Sequence, residues 1–209
     1  MGVIDSGTDY THPDLADNIW VNTGEIPDNG IDDDQDGYID DVIGWNFFKN
    51  TNDPMDNEYH GTHVSGIIAA RGNNEIGISG IAWNTKIAPL NAGAGNNEIS
   101  SASVIKALAY ATFHGFDIIN ASFGGSVYAG GTKTAIDRYP GLFVAGAGNQ
   151  GTDNDIHPFY PASYDCSNII SVANMNVHST LNYDASYGAV SVDCLLYTSP
   201  SPRDMRRSR

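Results

Sequence analysis

Long hydrophobic runs, basic residues and cysteines are all scarce in this 209-residue chain. No apolar stretch approaches the ~20 residues that a membrane-crossing helix needs, so a membrane span is excluded. Ten Lys and Arg stand against 25 Asp and Glu, a formal net charge of −15. That balance disfavours a nucleic-acid partner, because phosphate backbones are bound by clustered cations. The two cysteines, Cys166 and Cys194, can form at most one bridge. Whether they meet stays open from spacing alone, and the redox compartment stays open with it. No basic segment followed by an apolar one precedes the first folded residues, so no signal peptide is visible. Met1 instead abuts an apolar run that reads as a core strand, and the native start is expected to lie elsewhere.

What is present reads as a folded, soluble domain: 41% hydrophobic residues, 17% charged and 23 glycines, in a chain long enough for one sizeable core. Short apolar runs ending in Gly, Ser or Asp alternate with helical patterns, the signature of a parallel α/β sheet. Strands are expected at 2–4, 86–90, 116–120, 142–145 and 169–172. Helices are expected at 60–71 and 101–114, the second capped by Ser100 or Ser101 and ended by Gly115. Residues 1–60 carry 15 acidic side chains against one basic one, Lys49, and 22–58 form a long Asn/Asp/Gly-rich insertion with little periodicity. An insertion of that length without a core of its own usually has a task, often a metal. From 194 onward the pattern breaks into a Ser/Pro/Arg-rich segment with four of the ten basic residues. It reads as non-native sequence resembling a translated cloning adaptor, or as a disordered basic tail.

Three segments have the residue types for chemistry. In Gly2-Val3-Ile4-Asp5-Ser6-Gly7 a carboxylate ends an apolar strand, where open α/β sheets place their sites; the same residues also suit a plain turn. His60-Gly61-Thr62-His63-Val64-Ser65-Gly66 opens an apolar helix with an imidazole. The two histidines lack the adjacent Glu of a zincin metal site. Leu142-Phe143-Val144-Ala145-Gly146-Ala147-Gly148-Asn149 delivers an amide into a glycine-rich turn, where it either donates to a developing oxyanion or simply makes the turn.

Together, in the order Asp, His, oxyanion Asn, these segments resemble the subtilisin-like serine proteases (subtilases) over residues 2–193. The resemblance implies a three-layer α/β/α sandwich on a mainly parallel sheet. It also implies that Asp5 orients His60, that His60 is the general base, and that Asn149 holds the oxyanion. Residues 118–125 match the family's substrate-binding strand, with Ser122, Phe123 and Gly124 at its end. Residues 91–95, with Ala92 and Gly93, occupy the facing position, so an extended peptide or protein substrate would lie between them by strand addition. This second segment departs from the family wording, and Tyr59 replaces the small residue that commonly precedes the His motif.

Asp32-Asp33-Asp34-Gln35-Asp36-Gly37 opens like a calcium loop, with Asp40 at the ninth position but Ile43 instead of Glu at the twelfth. Asp32, Asp34, Asp36 and Asp40 are therefore the expected Ca²⁺ ligands in an insertion loop that is not an EF-hand; a solvated acidic loop is the other reading. The resemblance implies a second calcium site, with Asn74 of residues 72–78 and Asp14 of residues 11–15 as ligands.

The family nucleophile lies in a Gly-Thr-Ser segment, and no Gly-Thr-Ser occurs anywhere in the chain. The expectation is a partial catalytic domain, 1–193, C-terminally incomplete, from a calcium-dependent serine endopeptidase. It is expected to be secreted and monomeric, with the acylating residue cut off. The alternative is a non-catalytic calcium- or peptide-binding module on the same scaffold.

Overall fold

In the computed structural model, which describes residues 1–197 apart from 97, 177 and 179, the apolar runs become the strands of one parallel sheet. The elements in chain order are β1 (Gly2–Asp5), β2 (Trp45–Asn46), α1 (His60–Ala69), β3 (Ala88–Asn91), β4 (Gly93–Gly95) and β5 (Glu98–Ile99). They continue with α2 (Ser101–Phe113), β6 (Ile118–Ala121), α3 (Gly130–Arg138), β7 (Leu142–Gly146), β8 (Ile169–Met175) and β9 (Cys194–Tyr197). The main sheet has the order β2-β3-β1-β6-β7-β8-β9, and every pairing in it is parallel. β4 and β5 form a separate antiparallel pair.

Handedness explains the layers. The chain moves from β1 to one side through α1, then reverses through α2 to the other side, and right-handed crossovers in opposite directions put their helices on opposite faces. The packing follows. Val3 and Ile87 bury against α1 residues Val64, Ile68 and Ala69, while Ile4, Leu90, Ile119 and Phe143 bury against α2 and against Ile136 of α3. Neighbours in β1 thus alternate between two cores, as the strand's period of two requires. The result is the expected three-layer sandwich. Ser100 caps α2, its Oγ accepting from Ser103 N at 3.3 Å, and Gly115 follows the helix at φ 66°.

Three expectations are corrected. The insertion 22–58 is not coreless: β2 extends the sheet beside β3, Trp45 and Phe47 are buried, and Tyr38 packs edge-on against Trp45, Phe47 and Tyr110. Scattered aromatics have no period, so sequence pattern could not expose them. α3 was not expected, because it opens on Gly130-Gly131 and buries Ile136 as its sole large apolar side chain. The boundary at 193 moves outward, since Cys194–Tyr197 pairs with β8 as an edge strand; 198–209 lie outside the described residues. Both cysteines are free thiols. Among the described residues no helix is long and apolar enough to cross a membrane.

Candidate active site

β1 sits where the connections change direction, with β3 on one side and β6 on the other. The crevice outside the strand ends at such a point is where open α/β sheets bind ligands. Asp5 closes β1 there, 2% exposed, and its Oδ1 accepts from Ser6 N at 2.8 Å. His60 is the first residue of α1, and its Nδ1 lies 2.8 Å from the same Asp5 oxygen. Asp5 Oδ2 is buried and has no hydrogen-bond partner.

Gly61 makes this approach possible. A Cβ there would stand 2.0 Å from the Gly7 carbonyl oxygen and 3.0 Å from Asp5 Cβ, so only glycine lets the helix start dock on the turn after β1. The hydrogen bond to Asp5 raises the His60 pKa above its ordinary 6.5; partial burial opposes this, and the charges of Asp5, Asp56 and Glu58 reinforce it. Sequence reading missed Asp56. Its carboxylate accepts from Thr62 N at 2.8 Å, Thr62 Oγ1 at 2.6 Å, Glu58 N at 2.9 Å and Ser6 Oγ at 2.9 Å. Burial alone would raise the Asp56 pKa, but these bonds together hold it below the usual value. The missed signal was a carboxylate four residues before a helix-opening His.

Asp5, Ser6 and His60 line a cleft of about 630 Å³ whose other wall includes Ser122, Phe123 and Gly124. Gly93 lies in a smaller neighbouring hollow with Asn91 and Glu58. Ala92 does not fit the expected contact: it is fully buried, its N–H donates to Asp5 O and its carbonyl accepts from Ser100 N, so neither group is left for a peptide. Asn149 is exposed just past β7, at the same end of the sheet with β6 between it and β1, but it is not among the residues lining the cleft.

The acidic loop groups differently from its sequence spacing. All four carboxylates accept backbone amides, Asp32 from Asp36 N and Gly37 N, Asp40 from Asn29 N and Gly30 N, Asp34 from Asp36 N and Asp36 from Tyr38 N. Asp34 and Asp36 also converge with His114, at the end of α2, and Asp34 with Glu25 and Asp41. Asp36 and Asp41 are nearly solvent-free, and His114 Nε2 lies 2.9 Å from Asp36 Oδ2. Burial pushes the Asp41 pKa up to about 6, and burial raises that of Asp36 as well. The Tyr110 hydroxyl donates to Asp41. The crowded carboxylate oxygens of Glu25, Asp34, Asp36 and Asp41 are a donor set that fits a hard divalent cation, which takes oxygen ligands. Elsewhere, Asn74 Nδ2 donates to Asp14 Oδ1 at 2.7 Å and Ile78 N to Oδ2 at 3.0 Å, so Asp14 and Asn74 do meet.

The subtilase family model matches residues 1–198. Over 209 aligned residues the chain is 38% identical to subtilisin-like protease 1 of Plasmodium falciparum (isolate 3D7), covering 88% of this chain and 30% of that protein. It is 35% identical to the thermophilic serine proteinase of Bacillus sp. (strain AK1), covering 90% of this chain and 41% of that one. The chain thus spans less than half the length of these relatives. Among solved structures, a cold-adapted subtilisin-like serine proteinase superposes with TM-score 0.72 at 20% identity, over 95% of this chain and 62% of that one. The epidermin leader peptide processing serine protease of Staphylococcus aureus superposes with TM-score 0.71 at 24% identity, over 94% and 51%. The sheet and the match across nearly all its described residues have one conclusion: the chain belongs to the subtilase family of serine peptidases.

Proposed function

We propose that this chain supplies the aspartate and histidine of an Asp/His/Ser endopeptidase site, with the serine carried by a segment that this sequence does not contain. The observation that supports it is the 2.8 Å contact between His60 Nδ1 and Asp5 at the head of the cleft. A carboxylate accepting from Nδ1–H fixes the tautomer in which Nε2 has a lone pair. Nε2 then takes the serine proton as the hydroxyl attacks the scissile carbonyl, and returns it to the leaving amine. Asp5 stabilises the imidazolium formed between those steps. A peptide would lie extended along residues 122–124, with β4 facing it, and the Asn149 amide would donate to the oxyanion.

Calcium belongs to the same proposal. Glu25, Asp34, Asp36 and Asp41 would hold one ion and Asp14 with Asn74 a second; the ions supply charge neutralisation and bracing, and take no part in bond making. Secretion as a monomer, with a peptide or protein substrate, completes the reading.

The test is to express the reading frame continued until it includes a Gly-Thr-Ser segment, and to treat it with a serine-directed fluorophosphonate. Covalent labelling that is lost in His60→Ala, together with endopeptidase turnover, is expected. A continued frame without labelling or turnover, but with calcium-dependent peptide binding, would favour a non-catalytic module. The chain of 209 residues alone should show no turnover at a subtilase rate.

A further inference from the structure

We propose that Asp56 is a positioning residue for His60, acting through Ser6 and the first turn of α1 to keep the imidazole on Asp5. The proposal deepens the peptidase reading and rests on it.

The first N–H groups of a helix have no partner within the helix and need one from outside. In α1 the residue at the cap position, Tyr59, makes no side-chain cap and has a left-handed backbone, φ 66°. Asp56 does the capping from further back: one carboxylate oxygen takes both Thr62 N and Thr62 Oγ1. The other oxygen takes Glu58 N and the Ser6 hydroxyl. Ser6 Oγ in turn accepts from Gly61 N at 3.0 Å. Asp56 therefore grips the helix start at Thr62 directly and at Gly61 through Ser6, at the two successive peptide units that follow His60.

The Ser6 hydroxyl has one proton and two carboxylates within reach. Its oxygen is 2.9 Å from Asp56 Oδ1 and 3.3 Å from Asp5 Oδ1. The shorter contact assigns the proton to Asp56. Asp5 Oδ1 is then left to the Ser6 N–H and the imidazole. Without the Asp56 charge, the hydroxyl turns to Asp5 Oδ1 and competes with His60 for that oxygen. The charged groups facing His60 are Asp5 from β1 and Asp56 and Glu58 from the segment leading into α1. Removing Asp56 thus weakens the hold on the protonated imidazole twice, by losing a nearby negative charge and by diluting the Asp5 contact.

His60 is 49% exposed, and solvent screens its neighbours, so the expected shift is moderate. The experiment is an NMR titration of the His60 ring in the chain as it stands, with Asp56→Asn, Ser6→Ala, the double variant, and Ser100→Ala as control. Ser100→Ala removes the hydroxyl that caps α2 and leaves in place the backbone bond from Ser100 N to Ala92. Asp56→Asn should lower the His60 pKa by ~0.5 unit, less than the shift a charge in direct contact gives. In the Ser6→Ala background the same change should have less than half that effect. Ser100→Ala should lower the thermal midpoint and leave the His60 titration where it was.

The proposal is overturned if Asp56→Asn lowers only the thermal midpoint, as the control does. It is overturned equally if the shift is the same with and without the Ser6 hydroxyl. Should Asp56→Asn fail to fold, Ser6→Ala decides alone: an unchanged His60 pKa and an unchanged exchange rate of its Nδ1 proton refute the relay. The titration needs no turnover. It can fail while fluorophosphonate labelling of the longer protein succeeds, and the reverse.

Discussion

Replacing Gly61 by Ala sets two opposed effects against each other, and the structure decides the sign. Alanine is the better helix former by ~1 kcal/mol, so at an open position the change would stabilise α1. Here the new methyl would stand 2.0 Å from the Gly7 carbonyl oxygen, a backbone atom held where the chain turns after β1. Even a close C···O contact needs ~3.3 Å, so the helix start must retreat by ~1.3 Å. A retreat of that size away from the β1 turn stretches the 2.8 Å bond from His60 Nδ1 to Asp5 beyond hydrogen-bonding range. Overpacking costs ~1–3 kcal/mol, and the lost bond adds a part of its value, discounted because the imidazole is half exposed. Net destabilisation of ~1–3 kcal/mol follows, which is ~3–9 °C in thermal midpoint at roughly 3 °C per kcal/mol for a chain of this size. The assay pairs a melting curve with the His60 titration, whose pKa should fall back toward 6.5. A variant as stable as the parent, with His60 still titrating at its raised value, would refute the close docking of α1 on the β1 turn.

Calcium at a hundredfold excess over its Kd should add ~2.7 kcal/mol to stability, with magnesium much less effective; Asp34→Asn with Asp41→Asn should abolish the loop's share of the rise in midpoint, whereas Asp32→Asn with Asp40→Asn should keep it, and Asp14→Ala reports the second site separately. Equal responses to the two metals would leave only a solvated acidic loop. In the longer protein proposed to carry the serine, Asn149→Ala should lower kcat by ~10²–10³ with little change in KM, a magnitude carried over from an oxyanion donor in a related subtilisin; an unchanged kcat removes Asn149 from that role. The raised His60 pKa means that the folded state binds this proton more tightly than the unfolded chain does. Its stabilising contribution is full below pH 6.5 and is lost as pH rises through the folded value. Asp5→Asn should flatten that stretch of the stability curve, and a slope unchanged by the substitution would assign it to another group.

Five of the seven strands of the main sheet, and the positions of Asp5 and His60 within their elements, were legible in sequence because they follow local rules. Buried parallel strands are short continuous apolar runs, and a carboxylate that ends one lies at the edge of the sheet wherever the strand packs. Why a glycine stands second in α1 is visible only in the fold, which brings the Gly7 carbonyl oxygen against position 61. Contacts between distant segments obey no such rule. The spacing of Asp32, Asp34, Asp36 and Asp40 suggested one calcium loop, but it could not show that the fold draws Glu25, Asp41 and His114 in beside Asp34 and Asp36. His114 comes from the far end of α2, 78 residues from Asp36, and only tertiary packing sets that pairing. Ala92 looked open for a substrate and is sealed by Asp5 and Ser100. Asp56 read as one acid among many, and only the folded chain makes it the cap of α1. Sequence period determines which face of an element is buried, while the partner met by each polar atom is decided when the layers close.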